Sequence, residues 1–325
     1  MKSFIVTIDT EGDNLWTWRA GRSITTENVK YLPRFQNLCD KYGFKPVWLT
    51  NFEMVSDPEF VAFTKAKLHE GCCEIGMHLH AVNNPPLCDL DVKYPANFPY
   101  LIEYPEETIS QKVQWLHNLL ENTYEGPVVS HRAGRWAMNK YYMNCLIEKG
   151  LKIDCSVTPG INWYSTMGIT EGSHGSDYSK APEIPFYVDE NKRMLEFPVS
   201  IRTIHYSEHS FGSVHSLLSG IKHHVLGYKA WLRPNGHNLH EMLHLVNKLK
   251  EENTDYLMFM LHSSELMPGG SPTFRTNEDI EKLYSDLETL FAYISGFCEG
   301  KTLKEYASET LNNKDKIMYQ PLFEY

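Results

Sequence analysis

Phe4-Ile5-Val6-Thr7-Ile8-Asp9-Thr10-Glu11-Gly12-Asp13 is an apolar, β-branched run that stops at two carboxylates and a glycine. Such a run predicts a buried strand that ends in a turn. A carboxylate pair at the end of a buried strand is costly unless something positive meets it: a metal, an arginine or a substrate amine. One carboxylate there is most simply a helix cap or a salt bridge. Two at one strand end are typical of acid–base and metal chemistry.

Working outward, 46–50 and 73–78 read as further strands, with helices expected from residue 25 or 26 to Gly43 and from Asp57-Pro58 to Gly71. Pro33 inside the first helix predicts a kink or a late start. The alternation continues with a helix over 106–122, a strand over 128–131, a helix over 139–149 and a strand over 151–155. Strand–helix alternation predicts a parallel sheet with right-handed crossovers. The stretch 156–185 reads as long loops, 184–188 and 194–201 as a hairpin turned at 189–191, and 214–226 and 237–250 as helices. Residues 256–261 form a buried strand running into His262, and 277–297 a long amphipathic helix. The expectation is a single α/β domain over 1–325, with 156–255 as an irregular insertion. Asp9, His78, His131 and His262 fall at the C-terminal ends of expected strands, the working face of parallel α/β folds.

The composition fits a folded chain: 325 residues, 42% hydrophobic and 22% charged. The net charge of -10, with no basic block, argues against a nucleic-acid partner. No apolar run is long enough to span a bilayer, and the residues ahead of Asp9 lack a signal-peptide pattern. Seven scattered cysteines without a C-x-x-C pair read as thiols of a reducing compartment. Together these predict a cytoplasmic protein.

His78-Leu79-His80 places two imidazoles on one side of extended backbone. With a carboxylate from another strand they make the facial set that a catalytic Zn²⁺ or similar divalent ion needs. Arg132, in Ser130-His131-Arg132-Ala133-Gly134-Arg135-Trp136, could neutralise the buried carboxylates. Asp154-Cys155-Ser156 is a strand-to-loop turn that fits a structural role equally well. His262, before Ser263-Ser264-Glu265-Leu266-Met267-Pro268-Gly269-Gly270, is placed for general-acid work near neutrality. A competing motif is His240-Glu241-Met242-Leu243-His244, an H-E-x-x-H helix signature of zinc proteases, for which Glu265 would be the third ligand. In a chain with 15 histidines a chance match is roughly a one-in-twenty event, and the helix lies away from the strand ends.

In order along the chain, Thr7–Asp13, Gly76–His80, His131–Trp136, Asp154–Pro159 and Leu261–Glu265 resemble the motifs of the polysaccharide deacetylase (NodB-homology, carbohydrate esterase) family, most nearly its WbmS-like branch. The resemblance implies a distorted (β/α) barrel and a metal-dependent hydrolase. The substrate would be an N-acylated amino sugar, free, nucleotide-linked or lipid-linked, in surface-polysaccharide (O-antigen or capsule) biosynthesis. It implies Asp9 as general base, Glu11, His78 and His80 as metal ligands, Arg132 as the group orienting the base, and His262 as general acid. The usual adjacent Asp-Asp is here Asp9-Thr10-Glu11, so the two carboxylates could exchange roles. The usual second histidine falls at Val82, for which His80 substitutes. A related deformylase has a similar first motif, so the acyl group could be acetyl or formyl. Trp16, Trp18 and Trp136 are candidates to stack on sugar rings, and Arg135 and Glu265 to contact substrate polar groups. A catalytically degenerate sugar-binding protein on the same fold is the alternative.

Overall fold

The computed structural model describes residues 1–19, 22–205, 227–252, 254–310 and 317–323; the helix expected over 214–226 lies outside them. The first strand, β1 (Lys2–Thr10), is buried from Ser3 onward. It is followed by α1 (Leu32–Lys41), β2 (Pro46–Thr50), the short α2 (Phe52–Val55), α3 (Pro58–His69) and β3 (Glu74–Leu79). Then come α4 (Glu106–Tyr124), β4 (Ser130–Ala133), α5 (Lys140–Glu148), β5 (Ile153–Asp154), β6 (Phe186–Tyr187) and β7 (Leu195–Glu196). The rest comprises β8 (Ile201–Ile204), β9 (Tyr228–Trp231), α6 (Leu239–Glu251), β10 (Tyr256–His262), α7 (Asn277–Ser295), β11 (Cys298–Gly300) and α8 (Leu303–Thr310).

The main sheet runs in the order β10-β1-β2-β3-β4-β5-β7-β6, parallel except for the β6–β7 hairpin. It curls into a half-barrel. β2 pairs with residues 6–10 of β1, while β11 pairs with residues 2–4 of the same strand. On the open side, between β7 and β10, Met258 N donates to Ser200 Oγ at 2.9 Å and Met260 N to the Leu232 carbonyl at 3.2 Å. Register sets what faces the interior. Asp9 lies beside His262, and His78 beside Arg132. These two neighbouring pairs supply four of the polar side chains at the strand ends.

Local sequence explains the helices. The first one starts late: a 3₁₀ turn over Glu27–Tyr31 precedes α1, and Pro33 then falls in the first turn, where its missing N–H costs nothing. Asp57 caps α3 by accepting from Glu59 N and Phe60 N. In α7 the buried residues Ile280, Leu283, Leu287, Leu290 and Ile294 recur every three or four positions and face the sheet.

Three features depart from the sequence reading. The strand expected over 194–201 is two short strands, β7 and β8, and β8 pairs antiparallel with β9 in a separate two-stranded sheet. β11 and α8 occupy a tail read as merely polar. His131 is the second residue of β4 rather than its last. Its neighbour Arg132 reaches the interior, and alternation turns His131 the other way. There its Nδ1–H donates to Asp154 Oδ1 at 2.7 Å, and its Nε2 accepts from the Tyr142 hydroxyl at 2.7 Å. Burial pushes the His131 imidazole down, toward the neutral form this pairing needs. Burial, and next to it the Asp154 charge, raises Glu196 well above the usual carboxylate range. This network joins β4, β5 and β7 behind the interior face.

Candidate metal and catalytic centre

Glu11, His78 and His80 form a group whose ligand atoms all lie within 4.8 Å of one another. Glu11 Oε2 is 3.5 Å from His78 Nε2 and 3.0 Å from His80 Nε2, and the two Nε2 atoms are 3.1 Å apart. His78 Nδ1 meets the Arg132 carbonyl at 2.9 Å. A carbonyl only accepts, so this contact puts the proton on Nδ1 and leaves the Nε2 lone pair turned toward Glu11. Glu11 Oε2 is buried without a hydrogen-bond partner. Lone pairs converging on an orphaned carboxylate oxygen, two imidazoles and one carboxylate in all, are the donor set of a divalent transition ion.

The backbone on both sides of the cluster is fixed. Glu11 N donates to Ser263 Oγ, whose own hydroxyl donates to the Glu11 carbonyl, and Asn28 Nδ2 donates to both oxygens. Glu53 accepts from Gly12 N at 2.8 Å and from Asn83 Nδ2 at 2.7 Å, tying the turn after Glu11 to the loop after His80. Gly134 lets the end of β4 lie against the histidine loop. A Cβ there would sit 2.5 Å from the Leu79 carbonyl oxygen and 3.0 Å from His80 Cγ.

Asp9 shares the cavity with Glu11 but is gripped by an arginine. Arg132 Nη1 donates to Asp9 Oδ1 at 2.7 Å, Nη2 to Thr7 Oγ1 at 2.9 Å, and Nε to the Cys155 carbonyl at 2.9 Å. Burial pushes the Asp9 carboxyl up, but the Arg132 guanidinium, with His78 and His262, outweighs it and holds Asp9 below the usual carboxylate value. Burial also raises Glu11, yet His262 and the adjacent His78 and His80 imidazoles pull it well below its ordinary value. His262 Nε2 lies 3.8 Å from Asp9 Oδ2 and 4.0 Å from Glu11 Oε1.

Glu265 is placed behind His262, not on the cavity wall. Its Oε2 accepts from His262 N at 2.9 Å and sits 3.0 Å from His262 Nδ1. Arg233 Nη2 is 3.1 Å from the same Nδ1 and donates to Glu265 Oε1 at 3.3 Å. Burial raises the Glu265 carboxyl, but the Arg233 charge and the His262 hydrogen bond bring it down to about 2 from 4.5. A carboxyl depressed on folding stabilises the fold fully above pH 4.5, and that stabilisation is lost as the pH falls toward 2. Glu265→Gln is therefore expected to be less stable than wild type at neutral pH, with the difference shrinking below pH 4 in urea titrations. A constant difference from pH 7 to pH 3 would contradict this linkage.

A cavity of about 310 Å³ opens over these groups. Asp9, Glu11, His78, His80 and His262 line it, with Trp16, Phe98, Tyr100, Trp136 and Trp163 as aromatic walls and Val82 beside the histidines. The Trp16 ring meets His262 edge-on at 5.0 Å, and its Nε1 donates to Ser264 Oγ. Arg135 also lines the cavity. Its guanidinium lies 3.7 Å over the Tyr100 ring and donates to the Phe98 and Met167 carbonyls. Trp18 lies outside, in an adjoining groove with Phe52 and Leu87. Arg233, Phe98, Tyr100 and Trp163 were not expected from the sequence. For Arg233 the one available signal is Arg233-Pro234-Asn235-Gly236, a turn that follows a short apolar run.

His240 and His244 both fall on α6, but neither borders this cavity. Among the described residues no third ligand joins them, and Glu265, the residue the protease motif required, is committed to His262 and Arg233. Among the described residues no helix is long and apolar enough to cross a membrane.

By sequence, no family model and no curated protein matches the chain. By structure it is similar to a provisionally assigned polysaccharide deacetylase from Mycobacterium smegmatis, with a TM-score of 0.56, 14% identity, and coverage of 100% of this chain and 94% of that one. It is also similar to the GH57 branching enzyme TK1436 from Thermococcus kodakaraensis, with a TM-score of 0.56, 12% identity, and coverage of 99% and 73%. A third neighbour is a 4-alpha-glucanotransferase from Thermococcus litoralis, with a TM-score of 0.55 and 12% identity, where all of this chain spans 42% of the larger enzyme. At these identities the likeness is one of fold: a mixed α/β half-barrel shared with these three proteins.

Proposed function

We propose that the chain is a metal-dependent amidohydrolase that removes an N-acyl group, acetyl or formyl, from an amino sugar. The observation that carries this reading is the orphaned Glu11–His78–His80 cluster between an arginine-held carboxylate and a carboxylate-held histidine, on the floor of an aromatic cavity. Glu11, His78 and His80 would hold the ion, zinc by its donor set. When bound, it lowers the pKa of water and polarises the acyl carbonyl.

The protein's own groups do the rest. Asp9, kept ionised by Arg132, accepts the proton of the attacking water. His262 delivers a proton from Nε2 to the leaving amine, while Glu265 holds the imidazole at Nδ1. Trp16 and Trp136 offer flat faces to a sugar ring. All three structural neighbours are named for carbohydrate chemistry, which supports a sugar substrate. Glycosidic cleavage is disfavoured because it needs two carboxylates flanking the scissile bond. Here the two lining the cavity come from a single strand end, one gripped by Arg132 and one by two imidazoles.

The finer assignment, a WbmS-like deacetylase barrel over the whole chain working on a cytoplasmic precursor of surface polysaccharide, is part of the same proposal. The second reading is a sugar-binding protein without turnover. Val82 favours it, since it lines the cavity where the family pattern carries a histidine.

Metal content and acyl release from N-acetyl and N-formyl amino sugars test these readings together. Wild type is expected to bind zinc and release acyl groups. Glu11→Gln should lose more metal affinity than the roughly 10–100-fold that an outer-shell change costs. His240→Ala and His244→Ala should keep both properties. Metal lost only in the α6 variants would install the protease reading, and sugar binding without turnover the binder.

A further inference from the structure

We infer that the substrate carries an oxyanion, a ring carboxylate or a phosphate, and that Arg233 is the residue that reads it. The inference rests on the amidohydrolase reading for the identity of the site and extends it to the substrate's charge.

The position of Arg233 is built, not incidental. The preceding residue, Leu232, is laced between two segments: its N–H donates to the Ser200 carbonyl at 3.1 Å, and its own carbonyl accepts from Met260 N at 3.2 Å. The turn that follows is closed by Asn238, whose Nδ2 donates to the Arg233 carbonyl at 2.8 Å and whose Oδ1 accepts from Asn235 N at 2.8 Å. The side chain is held at one corner only. Nη2 meets His262 Nδ1 and Glu265 Oε1. Among the described residues Nε and Nη1 have no partner, and the side chain, 25% exposed, lines the cavity.

The electrostatics of the cavity point the same way. The whole chain carries a net charge of -10, yet the cavity lining sets two guanidiniums, Arg135 and Arg233, against the carboxylates of Asp9 and Glu11. Asp9 is already matched by Arg132, which lies buried behind it. A bound divalent ion would match Glu11. Of the two lining arginines, Arg135 has spent both terminal nitrogens on backbone carbonyls. Arg233 keeps its Nε and Nη1 N–H groups at the edge of the cavity, and a guanidinium with donors to spare is suited to a carboxylate or phosphate. A local positive site inside an acidic protein also draws an anion in from solution.

Calorimetric titration of wild type and Arg233→Gln with glucosamine, glucosaminuronic acid and glucosamine 1-phosphate tests this. These are products of the proposed reaction, so turnover does not consume them. Wild type is expected to bind one of the two anionic sugars about tenfold or more tighter than glucosamine. Arg233→Gln should abolish that preference, bringing the anionic sugars to within about threefold of glucosamine in the same variant, and Arg233→Lys should keep part of it. The anion that shows the preference identifies its source. Failure of both anionic sugars to bind tighter than glucosamine in wild type, or a preference that survives in Arg233→Gln, overturns the inference. Acyl release from the N-acetyl and N-formyl forms of all three sugars, assayed in parallel, reports on the hydrolase reading alone. Anion preference without release removes that reading and leaves Arg233 standing, and release without preference does the reverse.

Discussion

Asp9→Asn is expected to lower the rate of acyl release by about a thousandfold, within the range a positioned general base contributes, while metal binding persists. The substitution keeps an oxygen in place to accept from Arg132 Nη1 and leaves Glu11, His78 and His80 untouched. What it removes is the ability to take a proton from water. The contrast with Glu11→Gln is the informative part. One carboxylate faces a guanidinium and the other faces two imidazoles, so one variant should lose rate with metal retained and the other should lose metal. Rates within tenfold of wild type in metal-loaded Asp9→Asn would exclude Asp9 as the base, and loss of metal in that variant would mean the two carboxylates had exchanged roles.

Arg132→Met is expected to destabilise the fold by about 3–5 kcal/mol, the cost of leaving one partner of a buried ion pair alone. Arg132 is fully buried and spans the interior from β4 to β1, with Met258 Sδ 3.5 Å from its Nη2 and the Trp136 ring 5.1 Å from its guanidinium carbon. Methionine has similar length and meets the same apolar neighbours, so the loss should be chiefly that of the charge on Asp9. The double variant Asp9→Asn/Arg132→Met removes both charges and is expected to recover part of the loss. Urea titrations of the two single variants and the double give the coupling. Single losses that simply add in the double variant would show that the pair is not energetically linked.

Much of the sheet is legible in the sequence because buried parallel strands are continuous apolar runs, and 4–8, 47–49 and 256–261 are such runs. Glycines at 43, 71 and 150, each with positive φ, mark the helix ends that separate them. The clustering of Asp9 with Glu11 and of His78 with His80 follows from spacing two residues apart at strand ends. What the spacing cannot supply is the partner of each group. Arg132 lies 123 residues from Asp9, and its place opposite that carboxylate is a property of the curled sheet. Arg233 is harder still, since it is set by Leu232 docking against β10, a contact no local pattern announces. His131 was misplaced because β4 extends two residues past the expected end, and in a strand each residue's shift exchanges interior for exterior. Glu265 looked like a substrate group because it follows a strand end, but the tight turn after β10 folds its carboxylate back onto His262.

The pairing of β1 with β10 has a consequence for how the molecule is made. The strand that carries Asp9 finds one full neighbour, β2, within about fifty residues, but its other neighbour is complete only at His262. A chain emerging N-terminus first must therefore hold an apolar strand edge unsatisfied while more than two hundred further residues are synthesised, at roughly 5–20 residues per second. An unpaired edge of this kind invites association with other chains. The nascent chain is thus expected to depend on shielding until β10 arrives. β10 also brings His262, so closing this edge of β1 and completing the site are a single event.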